Sequence, residues 1–148
     1  MTHEDYMRLA LEEGRLALAT GDVPVGCVII DPDGAVIGRG HNKREADHSA
    51  LAHAEVEAIR QACETLGSWR LHGCTMYVTL EPCPMCAGAI INARISTLVY
   101  GAREPLSGSC ASIINLFEER YPSHPAIYAG VLAEECAAVM GEFFQRMR

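Results

Sequence analysis

The chain has 148 residues, of which 49% are hydrophobic and 21% are charged. This length predicts one domain over residues 1–148, with a core large enough to fold without disulfides or a structural metal. The net charge of −7 and a single lysine, Lys43, disfavour a protein that coats a polyanion. Arginines gathered on one face would still allow a local nucleic acid contact.

The seven cysteines form an odd set, and the N-terminal segment MTHEDYM lacks the basic and apolar regions of a secretion signal. We therefore expect a cytoplasmic protein. In that reducing compartment, cysteines are buried small side chains, metal ligands or nucleophiles rather than disulfide partners. No apolar run approaches the roughly 18 residues that a bilayer span requires, so no membrane association is expected.

Two patterns predict the first elements of the chain. Apolar residues at helical spacing predict an amphipathic helix over residues 2–20. Next, the β-prone runs 23–30 and 35–40 flank a turn that contains Pro32 and Gly34, and together they predict a hairpin. A mixed sheet that opens with a hairpin is the expected start of the fold.

Residues 42–49 are polar and predict a loop. The elements predicted after it are a helix over 50–66, a strand over 74–80, a helix continuing over 87–94, a strand over 97–101, a helix over 111–120, a strand over 126–131 and a C-terminal helix. Prolines tolerate the first turn of a helix but not its interior, so Pro82 and Pro84 place Cys83 and Cys86 at a helix N-terminus. Helices that alternate with strands predict an α/β fold with helices on both faces of a mixed sheet.

One constellation carries metal chemistry. His53-Ala54-Glu55 is followed, thirty residues after the histidine, by Cys83 and then by Cys86. An imidazole and two thiolates are ligands that Zn²⁺ prefers, and three protein ligands leave open the coordination position that a catalytic site needs. Residues two apart do not share a helix face, so we expect His53 and Glu55 to point past the helix end. Both helix N-termini would then favour thiolates at the metal.

The order H-x-E followed by P-C-x-x-C is a signature of zinc nucleobase deaminases. From about Met7 to Phe144, the chain resembles the bacterial tRNA-specific adenosine deaminases of the cytidine deaminase superfamily. The resemblance is carried by Val23-Pro24-Val25-Gly26, Gly40 with Asn42, Ala52-His53-Ala54-Glu55, Val78-Thr79-Leu80-Glu81-Pro82-Cys83, Met85-Cys86-Ala87-Gly88-Ala89, Tyr100-Gly101-Ala102-Arg103, and Glu134-Glu135-Cys136 through Phe144.

This resemblance implies a cytidine-deaminase-like three-layer α/β/α sandwich with a mixed five-stranded sheet, assembled as a homodimer. It also implies a zinc-dependent hydrolase that converts adenosine to inosine at the wobble position of a tRNA anticodon and releases ammonia. His53, Cys83 and Cys86 are the implied zinc ligands, and Glu55 is the implied catalytic proton carrier.

The implied substrate contacts are fewer and lie beside the metal. Asn42 matches a family asparagine that hydrogen-bonds the purine, the backbone of Ala54 contributes to base recognition, and Val25 forms part of the pocket wall. A base must leave its stack to reach a buried metal, and this costs least in a loop such as the anticodon. The tRNA anticodon loop is therefore the expected partner.

Two other functions stay open. The first is a deaminase of a free nucleobase or nucleoside, such as guanine, cytosine or cytidine, which the acidic composition favours. Glu104 and Leu106 stand where tRNA-type members commonly carry an aspartate and then a lysine, and Ser123-His124-Pro125 replaces a usual Asn-His-Arg string. The second is a catalytically silent, deaminase-like zinc-binding module.

Several residues also have simpler interpretations. A lone C-x-x-C motif also fits a redox pair, and Cys63, Cys74 or His72 would close a structural zinc site as a fourth ligand. The five cysteines outside the motif are expected in the core. Phe143 and Phe144 lie on the apolar stripe of the last helix, so we expect core packing rather than base stacking.

Overall fold

A five-stranded mixed sheet forms the centre of the computed structural model, which describes residues 1–147. The helices are α1 (His3–Arg15), α2 (Ala54–Leu66), α3 (Pro84–Asn92) and α4 (Ala133–Arg146); the strands are β1 (Gly26–Ile30), β2 (Val36–His41), β3 (Thr75–Leu80), β4 (Thr97–Ala102) and β5 (Ala126–Tyr128); short 3₁₀ turns cover Leu16–Thr20 and Leu116–Glu118.

The strand order is β2-β1-β3-β4-β5. Strand β1 runs antiparallel to both of its neighbours, with Cys27 opposite Gly40 on one side and Val78 on the other. Strands β3, β4 and β5 are parallel. The carboxyl ends of β3 and β4 therefore meet at one edge of the sheet, where the segment leading to Cys83 and the loop after Ala102 both begin.

Helices cover both faces of this sheet. Helices α2 and α3 pack with one face to form a core that includes Ile29, Met76 and Ile90. Helices α1 and α4 pack with the other face around Met7 and Val28. Each fully buried side chain of this size contributes about 1.5–3 kcal/mol relative to exposure. The predicted three-layer α/β/α sandwich is thus the observed architecture.

Helix α2 lies unusually close to strand β2, because glycine occupies the contact positions. A Cβ atom added to Gly40 would lie 2.2 Å from the carbonyl oxygen of Ala54, and one added to Gly38 would lie 2.3 Å from that of Ala58. No other residue fits these positions without moving the helix. The two glycines therefore fix where the first turn of α2, which carries Glu55, meets the sheet.

The predicted helix over 111–120 is wrong. Cys110 and Asn115 form an isolated antiparallel bridge, and only Leu116–Glu118 makes a short 3₁₀ turn. The composition of the segment suits a helix, but the backbone N–H and hydroxyl of Ser112 donate to the carboxylate of Glu81. Tertiary hydrogen bonds therefore replace the local ones that a helix would need.

Other elements form where predicted, with shifted ends. The first helix ends at Arg15 and continues as the 3₁₀ turn Leu16–Thr20, up to Gly21 in the left-handed region (φ 72°). Helix α2 starts at Ala54 instead of residue 50, because His53 is its extended N-cap residue. Strand β1 starts at residue 26 instead of 23, and β5 ends at 128 instead of 131.

The structure leaves all seven cysteines as free thiols. Of the five outside the motif, Cys27, Cys74, Cys110 and Cys136 are buried, as expected, whereas Cys63 is half-buried. Within residues 1–147, no helix combines the length and the apolar character that a membrane crossing requires.

Candidate active site

Three side chains at two helix N-termini converge on one point. His53 is the N-cap residue of α2, Cys83 is the N-cap residue of α3, and Cys86 lies in the first turn of α3. The Nδ1 atom of His53 is 3.6 Å from Sγ of Cys83 and 3.5 Å from Sγ of Cys86. Among residues 1–147, no other group of three His, Cys, Asp or Glu side chains brings its ligand atoms within 4.8 Å of one another.

The geometry of this group fits zinc. A tetrahedral ion with Zn–S bonds of about 2.3 Å and a Zn–N bond of about 2.0–2.1 Å separates sulfur from nitrogen by roughly 3.6 Å. The observed separations of 3.6 and 3.5 Å match that value. A closed structural site would need Cys63, Cys74 or His72 as a fourth ligand, and none of the three belongs to the group.

The two sulfurs differ in acidity. A hydrogen bond with Cys86, together with one from His53, lowers the pKa of Cys83 to about 4. The hydrogen bond with Cys83, together with burial, raises the pKa of Cys86 well above its ordinary value. One thiolate is therefore favoured at neutral pH, and a metal ion that bound both sulfurs would have to displace the proton of the second thiol.

Glu55 lies in the first turn of α2, directly beside this group, and only 4% of its surface is exposed. Burial raises the pKa of Glu55 from 4.5 to about 7, and the nearby Cys83 acts in the same direction. A carboxyl group with a pKa near the working pH can both accept and return a proton. Glu55 therefore has the protonation behaviour of a general acid and base.

A pocket of about 170 Å³ opens in front of the ligand group. The sequence-predicted residues Val25, Asn42, His53, Ala54, Glu55 and Cys83 all line it. Cys86 is fully buried behind them. The fold thus assembles all seven predicted site residues, which lie up to sixty-one positions apart in the chain, from Val25 to Cys86.

Asn42 follows strand β2 at the pocket wall. Its backbone N–H donates to the carbonyl oxygen of Val25 at 3.2 Å, and its side-chain Oδ1 accepts from the N–H of Arg44 at 3.0 Å. The hydrogen bond from Arg44 therefore engages the side-chain oxygen of Asn42 within the loop that carries both residues. The NH₂ group is consequently the part of Asn42 that is suited to donate to a ligand.

The pocket also contains residues that were not among the predicted site residues. They are Val23, Arg44, Leu80, Glu81, Glu104, Ser107, Met140 and Phe144. The predicted core position of Phe143 is confirmed, since it is 8% exposed. The same prediction is wrong for Phe144, which is 51% exposed and lines the pocket. The apolar stripe does not distinguish these two residues, because they are consecutive in α4 at the edge of the core, where one side chain faces the core and the next faces the pocket.

Glu81 is a second buried carboxyl group of this pocket, with 2% of its surface exposed. Burial opposes its ionisation, but hydrogen bonds from Ser112, Cys110 and Glu104 outweigh that effect and lower the pKa of Glu81. Glu81 is therefore a carboxylate at neutral pH, in contrast to Glu55. In the sequence, this residue is marked only by its place in the Val78–Cys83 motif, two residues before Cys83.

The whole chain, residues 1–148, matches the family model of MafB19-like deaminases. It is also 44% identical over 150 residues to the tRNA-specific adenosine deaminase of Bacillus subtilis (strain 168), a match that covers 100% of this chain and 92% of that protein. The chain belongs to the tRNA-specific adenosine deaminase family. The resemblance noted from the sequence motifs is confirmed by this identity.

Two solved structures share the fold of this member of the tRNA-specific adenosine deaminase family. One, from a study of A-to-I editing by tRNA:A34 deaminases at the wobble position of transfer RNA, matches with a TM-score of 0.87 and 43% identity over 91% of this chain and 98% of that one. A guanine deaminase from Bacillus subtilis matches with a TM-score of 0.66 and 33% identity over 100% of this chain and 94% of that one. The predicted cytidine-deaminase-like fold is confirmed.

Proposed function

We propose that the chain is a zinc-dependent hydrolase that deaminates adenosine to inosine at the wobble position of a tRNA anticodon. The observation that carries this proposal is the triangle of His53, Cys83 and Cys86 beside the buried Glu55, inside a pocket and in a chain 44% identical to a tRNA-specific adenosine deaminase. The net reaction consumes one water, replaces the C6 amine of adenine by oxygen and releases ammonia.

The roles proposed for the residues follow from their positions. A zinc ion on the three ligands would supply a coordinated water of lowered pKa. Glu55 would accept a proton from the attacking water and donate one to N1 of the adenine, so that the C6–O bond forms. Glu55 would then take the proton of the new C6 hydroxyl and pass it to the departing amine, so that the C6–N bond breaks, the C6 carbonyl forms and ammonia leaves. A pKa of about 7 allows the carboxyl group to serve in both directions.

Base binding is proposed to use the pocket wall. The NH₂ group of Asn42 would donate to a purine ring nitrogen, the backbone of Ala54 would contact the base edge, and Val25 would exclude competing water. An extruded base reaches such a pocket only after unstacking, which costs a few kcal/mol and is smallest in a loop. This favours the anticodon loop as the RNA element.

A deaminase of free purines is the second candidate. Two observations favour it: the 33% identity to a guanine deaminase over the whole chain, and the carboxylate of Glu104 at the pocket beside a net charge of −7. Acidic groups at the rim disfavour RNA phosphates but not an uncharged base. The catalytically silent module is opposed by Glu55, because this buried carboxyl group lines the pocket beside the three candidate ligands and its pKa of about 7 suits proton transfer.

The proposal includes a homodimer and a cytoplasmic location. The outer face of α3 presents the small or apolar residues Met85, Gly88 and Ala89 along an open groove, together with Leu116 and Tyr121. Such a face suits a second copy of the chain. Light scattering of the purified protein tests the assembly.

Free thiols at all seven cysteines, two of which would have to stay reduced to bind zinc, fit a reducing compartment.

The assay that tests the function compares RNA with small molecules. Purified zinc-loaded protein is incubated with an anticodon stem-loop carrying adenosine at the first anticodon position and, separately, with free adenosine, guanine and cytidine. We expect inosine in the RNA after nuclease digestion and mass spectrometry, and no conversion of the small molecules. Conversion confined to the free bases or nucleosides would contradict the tRNA proposal.

Removal of the proposed proton carrier gives the matching prediction. Glu55→Gln keeps the size of the side chain and should lower the rate of inosine formation by about 10²–10⁴-fold while zinc content is retained. The matched control is Glu64→Gln, an exposed carboxyl on the same helix, which should leave the rate unchanged. Activity of Glu55→Gln within ten-fold of the parent would refute the role of this residue.

A further inference from the structure

The loop over 103–115 forms part of the pocket rim. It follows β4, replaces the helix predicted for this part of the chain, and contributes Glu104 and Ser107 to the pocket lining. It contains one isolated bridge and no regular strand, and its internal backbone bonds, such as those from Gly108 N–H to the Glu104 carbonyl and from Ile113 N–H to the Gly108 carbonyl, join the loop to itself and not to the sheet. The position of this loop therefore depends on contacts with another part of the molecule.

Those contacts converge on the carboxylate of Glu81. Its Oε1 accepts from the backbone N–H of Glu104 at 3.1 Å and from the hydroxyl of Ser112 at 2.5 Å. Its Oε2 accepts from the backbone N–H groups of Cys110 and Ser112, each at 3.0 Å. Four donors from one loop thus bind a single buried side chain that lies outside the loop. Hydrogen bonds to a charged, buried acceptor are among the stronger ones in proteins.

Close packing reinforces these hydrogen bonds. A Cβ atom added to Gly108 would lie 2.4 Å from both Cδ and Oε2 of Glu81, so only glycine lets the loop pass over the carboxylate at this distance. The N–H of the next residue, Ser109, donates to the carbonyl oxygen of Pro82 at 2.8 Å. The loop is therefore attached to the two residues that immediately precede the metal ligand Cys83.

We propose that Glu81 is a positioning residue, which holds the loop over 103–115 in the shape that the substrate pocket requires. The proposal rests on the proposed function, because it assigns the loop to binding of the RNA substrate. Both carboxylate oxygens of Glu81 accept hydrogen bonds from the loop, so we assign this residue no role in proton transfer. Neutralising it should loosen the rim without altering the three zinc ligands or Glu55.

The test compares Glu81→Gln with Glu118→Gln, which removes an exposed carboxyl beyond the far end of the same loop. Glutamine is nearly isosteric but turns an NH₂ group toward backbone donors. Hydrogen exchange of the peptides covering residues 103–115, zinc per chain, and KM and kcat on the anticodon stem-loop are measured. We expect faster exchange in the loop, a rise in KM of about ten-fold or more, kcat within about three-fold, and unchanged zinc content. Glu118→Gln should match the parent protein.

Unchanged loop exchange, or a KM within two-fold of the parent, would overturn the proposal. A parallel loss of zinc and kcat at constant KM would also overturn it, since it would place Glu81 in support of the metal. If Glu81→Gln does not fold, Gly108→Ala keeps the carboxylate but displaces the loop; it should raise KM with zinc retained, and an unchanged KM refutes the idea. A parent protein inactive on RNA refutes the proposed function, whereas the exchange experiment still tests the contact between Glu81 and the loop.

Discussion

Cys86 is the buried member of the ligand group, 0% exposed and 3.5 Å from Nδ1 of His53. Cys86→Ser replaces a thiolate by a hydroxyl, which is a poor ligand for zinc at neutral pH. We expect this variant to retain less than about a tenth of the zinc of the parent after dialysis against a weak chelator. The matched control is Cys63→Ser, a half-buried cysteine outside the group. Equal zinc content in the two variants would contradict the ligand assignment.

At the scale of single residues, the sequence predicted the candidate metal group and four further pocket residues, Val25, Asn42, Ala54 and Glu55, but not Glu81 or Phe144. The ligand types and the two-residue gap between Cys83 and Cys86 indicate zinc without knowledge of the fold. Glu81 and Phe144 carry no comparable signal, because their positions at the pocket depend on where the loop over 103–115 and the end of α4 pack. Tertiary contacts of this kind are not visible in local spacing.

Among the elements, the contact of α2 with β2 controls the position of Glu55 and of the N-cap His53. Gly40→Ala would push a Cβ atom against the carbonyl oxygen of Ala54 at 2.2 Å. We expect a loss of about 1–3 kcal/mol in the free energy of unfolding by urea. Gly141→Ala in α4, where nothing lies within 4 Å, should instead gain about 0.5–1 kcal/mol. Equal effects of the two substitutions would refute this account of the packing.

The loop that carries Asn42 is held by another buried carboxylate, Asp22, which is 1% exposed. Asp22 accepts from the hydroxyl of Thr20 at 2.6 Å and from the N–H groups of Glu45 and Ala46 at 2.6 and 3.2 Å. Burial alone would raise the pKa of Asp22, but these hydrogen bonds lower it below its ordinary value of 3.8. The charged form is therefore favoured by the folded state.

Asp22→Asn should consequently reduce the free energy of unfolding at pH 7 by about 1–3 kcal/mol. Because the folded pKa lies below the unfolded one, the contribution of the carboxylate is complete above pH 3.8 and is lost as the pH falls through the folded pKa. The difference in free energy of unfolding between Asp22→Asn and the parent protein should therefore become smaller only in acid. Asp47→Asn, an exposed aspartate of the same loop, is the control for urea unfolding across pH. A difference that widens in acid would contradict the assignment.

Periodic elements could be predicted from the sequence, and segments held by long-range hydrogen bonds could not. The alternation of Met76 and Val78 with polar neighbours correctly indicates β3. The composition of residues 111–120 suits a helix, yet the backbone N–H of Ser112 donates to the carboxylate of Glu81, 31 positions away. The prediction failed where a distant acceptor competed with the local helix for the same donors.

For the whole molecule, the strand order explains why an acidic chain can hold a focused site. The parallel strands β3 and β4 end at one edge, and helices α2 and α3 direct their N-termini to His53, Cys83 and Cys86 beside it. Helix dipoles and backbone N–H groups supply positive potential there that the net charge of −7 does not reveal. Composition alone therefore disfavoured a polyanion partner, whereas the topology provides a local site compatible with one.

The central claim is a zinc ion held by one imidazole and two sulfurs, with one coordination position left for water. X-ray absorption at the zinc edge of the purified, untagged protein tests it most directly. We predict about one zinc per chain, two sulfur neighbours near 2.3 Å and two nitrogen or oxygen neighbours near 2.0–2.1 Å. Absence of zinc, or a shell with three or four sulfurs, would contradict the account.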